Sequence, residues 1–402
     1  MPTPATTRVV LSGILTAWLL TPGALVGQAP ETVQKQLRVQ AGDFRYLGNF
    51  TLPENDGTGN ALTWGGFAVG LGPDGKSLYF GCHDWGSRLA RVTIPDVGDV
   101  ASIVEPCTPV PNLAAINPGD SNGIKLGGSL VWNGRLIVSA YAYYDGGNTA
   151  KASHFAGTGL TSLSGPVRVG KDVPGMVGGY MGVIPPEWRA LLGGPALTGL
   201  CCTSIISRSS YGPSVSVFDP DHVGTRSSIP SRMILGYPDN HQTLGPWDGT
   251  APYFNGTTKV GGVAFPGGTR SVLFVQRHGA AFCYGPATAD KTIAGKPDGD
   301  GNTWCYDPIE TDKGVYGYPY RHEVLAYDAV DLLAAKQGKK APWDLKPYAA
   351  WPLNEMSSGG VATMRSAPYD PVTRRWYMVG TGSDASPRVH VYEIASPVGQ
   401  SP

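Results

Sequence analysis

The sequence predicts an all-β protein, a β-propeller of five four-stranded blades closed by the N-terminal strand pairing in the last blade. Three observations lead there. Glycine and proline number 56 and 35 among 402 residues, too many for a helical protein, while 41% apolar and 10% aromatic residues are too many for a disordered one. A Gly-Gly pair opening an apolar strand recurs five times. A strand with no neighbour to pair with stands near the N-terminus, opposite a last repeat that lacks one.

In chain order, Arg8, the apolar run Val9 to Leu20, Pro22 and the small residues Gly27 and Ala29 read as a secretory signal peptide cleaved after about Ala29. The run is shorter than the roughly 20 residues a membrane-spanning helix needs, and no later segment approaches that length. Residues 1–29 are thus assigned to the signal, 30–43 to a linker, 44–395 to one propeller domain and 396–402 to a tail. The mature chain is expected to be secreted, extracellular or periplasmic, monomeric and without a membrane span.

The glycine pairs are Gly65-Gly66, Gly127-Gly128, Gly178-Gly179, Gly261-Gly262 and Gly359-Gly360. After a turn, a second strand is expected at Ser77–Gly81, Arg135–Ser139, Thr203–Ser207, Ser271–Val275 and Arg375–Val379, which makes hairpins. Third strands are expected at Arg88–Val92, Ser214–Phe218, Glu323–Tyr327 and Arg388–Tyr392. Fourth strands end near proline, at Ala101–Pro106, Arg232–Pro238 and Lys346–Pro352, where a missing N–H removes no ladder bond from an outermost strand. Phe44–Pro53 is expected to pair with Arg388–Tyr392 and remove an exposed edge. Uneven spacing places insertions in the third and fourth units, including 185–200 and 279–320. Six or seven blades, or a sandwich, are the alternatives.

Lysine plus arginine balance aspartate plus glutamate at 31 each, with no basic run longer than Lys339-Lys340. This argues against nucleic acid as a partner, since phosphate binding needs a concentrated positive face. Six cysteines in an exported chain permit disulfides. Cys283 and Cys305 bracket a Gly/Asp-rich insertion and form the first expected pair, Cys82 and Cys107 the second. Cys201 and Cys202 are adjacent and are expected to be buried thiols, because adjacent cysteines reach disulfide geometry only with distortion.

In a propeller, residues just before each first strand and just after each second strand converge on one face of the axis. The first set gives Trp64, Asn122, Lys125, Lys259, Glu355 and Ser357; the second gives His83, Asp84, Trp85, Tyr143, Tyr144, Asp145, Arg208, Arg277, His278 and Asp384. Tyr143 and Tyr144 are neighbours, so only one can face the axis. Aromatic rings beside carboxylates suit a sugar, whose C–H faces stack while its hydroxyls bond to charged groups. Hydrolysis needs two carboxylates flanking the bond, from Asp84, Asp145 and Glu355. β-Elimination from a uronic acid needs a base, a proton donor and a cation, from His83 or His278, Tyr143 and Arg277. The expected catalytic set is therefore His83, Asp84, Tyr143, Arg277, His278 and Glu355, with Trp64, Trp85, Asp145, Lys125, Lys259 and Arg208 binding substrate.

No cofactor is required by the sequence. Asp298, Asp300 and Asn302 alternate as at the start of a calcium loop, but Thr303 stands where glycine belongs and Ile309 where glutamate belongs, so a plain Gly/Asp turn is the competing reading. His83, His241, His278 and His322 have no short metal-ligand spacing. No Gly-x-Ser-x-Gly, His-Glu-x-x-His or phosphate loop is present. Asn49-Phe50-Thr51 and Asn255-Gly256-Thr257 match the glycosylation triplet.

By its repeat architecture the chain resembles five-bladed propellers, a group that includes secreted glycosidases acting on arabinose-, xylose- and fructose-containing glycans. Those enzymes place an aspartate at the start of the first inner strand, where this chain has Leu62-Thr63-Trp64-Gly65-Gly66, so no catalytic residue is carried over from them. The leading expectation is an exported carbohydrate-active enzyme, glycoside hydrolase or polysaccharide lyase, acting on a poly- or oligosaccharide. A non-catalytic propeller binding a glycan or surface partner, and a metal-dependent oxidoreductase or lactonase, are the alternatives. An enzyme needs titratable groups within one cleft, a binder repeated aromatic pockets, and a metalloenzyme three or more converging ligands.

Overall fold

The computed structural model describes residues 1–2, 29–119, 123–200, 205–279, 281–358, 363–382 and 384–397. The expected signal segment apart from its ends, Asn122, Cys201, Cys202 and the Gly359-Gly360 pair lie outside the described residues. Among the described residues, no helix is long and apolar enough to cross a membrane.

Strands join into antiparallel sheets that follow one another along the chain. Sheet one contains Gly70–Leu71, Ser77–Gly81, Arg88–Thr93 and Ile103–Pro109. Sheet two contains Ile124–Trp132, Arg135–Ala142, His154–Gly157 and Ser164–Val169, with Ser228–Ile229 added in parallel at its outer edge. Sheet three contains Met181–Val183, Ala196–Gly199, Val215–Phe218 and Ser231–Leu235. Sheet four contains Lys259–Ala264, Ser271–Gly279, Tyr320–Asp328 and Ala349–Pro352. Sheet five contains Thr363–Ser366, Arg375–Thr381, Pro387–Ile394 and, outermost, the N-terminal strand Phe44–Thr51. That last pairing runs from Phe44 opposite Ile394 to Thr51 opposite Arg388, with a bulge between Tyr46 and Gly48.

The inner strands of successive sheets touch one another, and Tyr369–Asp370, beside sheet five, touches the inner strand of sheet one. This cyclic order around a shared centre is a propeller architecture. It explains the glycine pairs: a Cβ on Gly127 or Gly128 would collide with the carbonyl oxygens of Gly178 and Gly179 on the next inner segment. Between sheets the space is filled by side chains. Leu273, Val275 and Val324 of sheet four meet Trp376, Met378 and Tyr392 of sheet five, and Leu78 and Phe80 of sheet one meet Tyr377, Val379 and Val389 of sheet five.

Several expected elements lie elsewhere. The second strand of sheet three is Ala196–Gly199, because the helix Pro186–Leu192 ends at Gly193 in a left-handed turn (φ 90°) and returns the chain at once; of the expected Thr203–Ser207, residues 203 and 204 lie outside the described residues and Ile206–Arg208 is a 3-10 turn. In sheet one, Trp64, Gly66 and Ala68 all have positive φ, so the regular strand begins only at Gly70. The second strand of sheet four runs on to Gly279, which puts Arg277 and His278 inside a strand and not beyond its end. Residues 30–43, expected as a linker, are packed on the body. Val33 and Val39 are buried, the Val39 N–H donates to Ser271 Oγ (2.8 Å) and the Trp188 indole donates to Gln36 Oε1 (3.1 Å). Asn255 is buried and its amide donates to the Gly249 and Gly279 carbonyls (3.0 and 3.2 Å), which closes that glycosylation triplet in the folded chain.

His154 is enclosed, with Nδ1 on Ser153 Oγ (2.8 Å) and Nε2 on Thr198 Oγ1 (3.1 Å). Burial pushes its pKa down to about 3 from 6.5. Below pH 6.5 the unfolded chain takes up a proton that the folded one refuses, so this contribution is complete above about 6.5 and is lost as pH falls toward 3. Urea denaturation between pH 7 and pH 4 should show stability falling by at most about 1.4 kcal/mol per pH unit from this group. His154→Gln should flatten that slope.

Candidate active site

The second strand of sheet one ends at Gly81, and Cys82 is fixed there by its disulfide to Cys107, with Cα atoms 6.2 Å apart. The chain then makes one 3-10 turn, Asp84–Gly86, started by His83. The His83 N–H donates to the Ala61 carbonyl (2.9 Å), and its Nδ1 accepts from the Trp85 N–H (3.3 Å). Nδ1 is therefore occupied, and Nε2 is the nitrogen available to a ligand. Ser87 has φ 46° and donates to the Ile124 carbonyl (2.7 Å), which docks the loop on the inner strand of sheet two.

That docking brings Lys125 to Asp84, Nζ to Oδ2 at 2.5 Å. The two side chains are 8% and 14% exposed, so water screens the pair little. The same ammonium lies 3.8 Å from the Trp85 ring centroid and 4.5 Å from that of Tyr143, and the two rings stand edge to face at 6.1 Å. Lys125 thus ties a carboxylate and two aromatic rings into one unit. Tyr143 is the member of its pair that faces it; Tyr144 is 58% exposed.

A cleft of about 390 Å³ opens beside this unit. Trp64, His83, Asp84 and Trp85 line it from sheet one, Glu310 and Asp312 from the sheet-four insertion, and Arg365 from the inner strand of sheet five. The volume is within the range of small-ligand sites. The insertion is a three-stranded unit, Cys283–Thr288, Cys305–Tyr306 and Lys313–Tyr316, closed by the Cys283–Cys305 disulfide. Asp307 anchors its cleft edge: Oδ1 accepts from the Ile309 and Glu310 N–H groups (3.0 and 3.2 Å) and Oδ2 from the Tyr320 hydroxyl (2.8 Å). Burial, opposed by Arg277 and reinforced by Asp307, pushes the Tyr320 phenol up to about 12, so it remains a donor.

Arg277 lies over the Tyr320 ring, 3.8 Å from its centroid, and is 5% exposed. It supports the base of the insertion and does not line the cleft. Lys259 stands opposite it in register. His278 is fully buried, with Nδ1 on Thr258 Oγ1 (2.8 Å) and Nε2 on the Ala251 carbonyl (3.0 Å). Both nitrogens are engaged, so His278 braces the loops under sheet four. Asp145 is buried and accepts from the Thr149 and Ala150 N–H groups (2.8 and 3.2 Å), while Arg208 donates to the Asp145 carbonyl (3.2 Å). Those two shape a loop on sheet two. Glu355 accepts from the Tyr392 hydroxyl (3.2 Å) in the seam between sheets four and five. Of the expected elimination set, only His83 lines the cleft.

Asp298 accepts from the Asp300 and Asn302 N–H groups (2.8 and 2.9 Å) and from the Asn302 side-chain amide (2.9 Å), the bonding of a plain Asx turn. Among the described residues, no three His, Cys, Asp or Glu side chains are grouped to hold a metal. Glu310, Asp312 and Arg365 were not expected at the site. Arg365 belongs to an inner strand, and the cysteine-bracketed insertion was the visible signal for the other two.

No family model and no curated protein matches this chain. Among solved structures, it is similar to a glycosyl hydrolase from Bacteroides ovatus, with 12% identity over 92% of this chain and 95% of that one, TM-score 0.43. It is also similar to a structure described with GH130-family glycoside hydrolases that target β-1,2 mannosidic linkages in Candida mannan (12% identity, 92% and 99% covered, TM-score 0.44). A third is the GH43 endo-arabinanase from Bacillus licheniformis (10% identity, 82% and 93% covered, TM-score 0.40). At these TM-scores the likeness assigns no chemistry to the residues above.

Lys125→Met should leave Asp84 buried without its cation and destabilise the fold by about 3 kcal/mol, the scale of a broken buried pair. Guanidinium denaturation measures it, and a shift in tryptophan emission should accompany the loss of the cation from the Trp85 face.

Proposed function

We propose that this chain is a secreted carbohydrate-active enzyme of the hydrolase type, with its cleft at the mouth of a five-bladed propeller closed by the N-terminal strand. The observation that carries the reading is that Trp64, Trp85 and Asp84 line one cleft together with Glu310 and Asp312. Exposed indole rings offer a flat apolar surface to the C–H face of a sugar ring. Two carboxylates in one cleft are what glycoside hydrolysis requires, one to donate a proton to the leaving oxygen and one to act on the anomeric side. Asp84, paired with Lys125, suits the carboxylate that acts on the anomeric side. Glu310, from the insertion, suits the proton donor. His83 Nε2 and the Arg365 guanidinium are placed to hold hydroxyls. Two disulfides support export to an oxidising compartment, and five successive four-stranded sheets in cyclic contact support the blade count.

Purified protein should release reducing ends from at least one member of a polysaccharide panel. Asp84→Asn and Glu310→Gln should each lower kcat by about 10²-fold or more with little change in glycan binding. Trp85→Ala should chiefly raise KM. Glycan binding without turnover across the panel would refute the hydrolase assignment.

A further inference from the structure

The insertion closed by Cys283–Cys305 has two faces with different contents. Ala287, Cys305 and Tyr316 are buried together on one of them and form its small core. Strand alternation puts Tyr284, Pro286 and Thr288 on the other, and register adds Tyr306 opposite Thr288 and Lys313 opposite Pro286. Tyr284 is 53% exposed and Lys313 is exposed, so this second face is open to solvent. Its rings are flanked by cations: Lys313 Nζ is 5.2 Å from the Tyr284 ring centroid, and Lys291 Nζ is 5.3 Å from that of Tyr306.

A groove of about 370 Å³ borders that face, lined by Pro286 and Lys313 from the strands and by Asp298, Asp300, Asn302 and Trp304 from the connection between them. Its volume is within the range of small-ligand sites. Trp304 is held in place: its N–H donates to the Lys296 carbonyl (2.9 Å), its carbonyl accepts from the Gly295 N–H (2.8 Å), and the next residue, Cys305, is in the disulfide. The turn bonds that Asp298 accepts fix the rest of the groove. It is therefore preformed, which lowers the ordering cost of binding. A partly exposed indole beside carboxylates, a carboxamide and an ammonium is what a sugar needs, a flat apolar surface for its C–H face with acceptors and donors at the edge for its hydroxyls. Two carboxylates against one ammonium leave an excess of negative charge, so the groove suits an uncharged sugar and disfavours an acidic one. Asp312 lines the cleft and Lys313 the groove, so the two adjoin along one segment.

We propose that this groove is a second glycan-binding site, in which a neutral sugar unit of a polysaccharide stacks on Trp304 and bonds to Asp300, Asn302 and Lys313, with Tyr284 continuing the surface. The site goes beyond the hydrolase reading and does not depend on turnover at the cleft.

Affinity electrophoresis of the full chain carrying Asp84→Asn, in gels containing glucan, xylan, mannan, arabinan or polygalacturonate, tests it without the polymer being consumed. At least one neutral polysaccharide should retard the chain, and adding Trp304→Ala should raise the dissociation constant about tenfold. Asp300 is exposed and its turn bonds run through its backbone, so Asp300→Ala serves as the second variant should Trp304→Ala fail to fold, with an expected rise of about threefold. Retardation that depends on Trp304, together with no turnover by the wild-type chain, would support this site and remove the hydrolase reading. No retardation by any of the neutral polysaccharides, an unchanged dissociation constant in a folded Trp304→Ala (or in Asp300→Ala where that variant does not fold), or tighter Trp304-dependent binding of polygalacturonate would each overturn the proposal.

Discussion

Everything in this molecule depends on how closely its inner strands can approach. Around the centre, each inner segment must lie against the backbone of the next, and side chains are excluded where carbonyl oxygens are within contact of the neighbour's Cα. The glycine pairs meet that requirement at Gly127 and Gly128 against Gly178 and Gly179, and Gly262 meets it against Ala367. Because the centre is backbone on backbone, the wedge-shaped seams further out take the large residues. Trp376, Tyr392, Phe80 and Phe274 are the enclosed side chains that fill them.

The same crowding positions the chemistry. Strands that cannot widen at the centre leave their polar groups at their ends, where loops from sheet one, sheet five and the sheet-four insertion meet. Asp84, Lys125, Trp85 and Tyr143 make one rigid unit because a turn pinned by a disulfide is pressed onto the start of a neighbouring inner strand. Glu310 is held differently, by Asp307 and Tyr320 resting on Arg277. The sheet-one side of the cleft is thus fixed by a disulfide and an ion pair, the insertion side by hydrogen bonds that Asp307 accepts from the loop backbone and from the half-buried Tyr320 phenol.

Much of this is legible in the sequence. The outermost position of Phe44–Thr51 follows from a fifth repeat with no fourth strand, the Cys283–Cys305 disulfide follows from the Gly/Asp-rich insertion it brackets, and the second expected pair, Cys82–Cys107, is also joined. The turn at His83 to Trp85 was legible because a second strand ending in polar residues identifies its own exit. The second strand of sheet three was not: Thr203, Ile205 and Ile206 are β-branched and favour a strand, yet the helix Pro186–Leu192 returns the chain to Ala196. Tertiary geometry overrode propensity there. Arg277 and His278 were misplaced because the strand carrying them is longer than its apolar run, so alternation buries both on opposite faces. Arg365 and Glu310 meet in the cleft across more than fifty residues of chain, and no local pattern encodes that meeting.

The outer strand of sheet five carries a consequence for how the protein is made. Phe44–Thr51 precedes sheets one to four in the chain, while its hydrogen-bonding partner, Pro387–Ile394, follows them all. That strand must therefore wait for its ladder partner while the four sheets between assemble from local hairpins. Pairing of such distant segments pays its loop-closure entropy late and is slow. Docking of Phe44–Thr51 on Pro387–Ile394 is then a single long-range zip that follows the local hairpins.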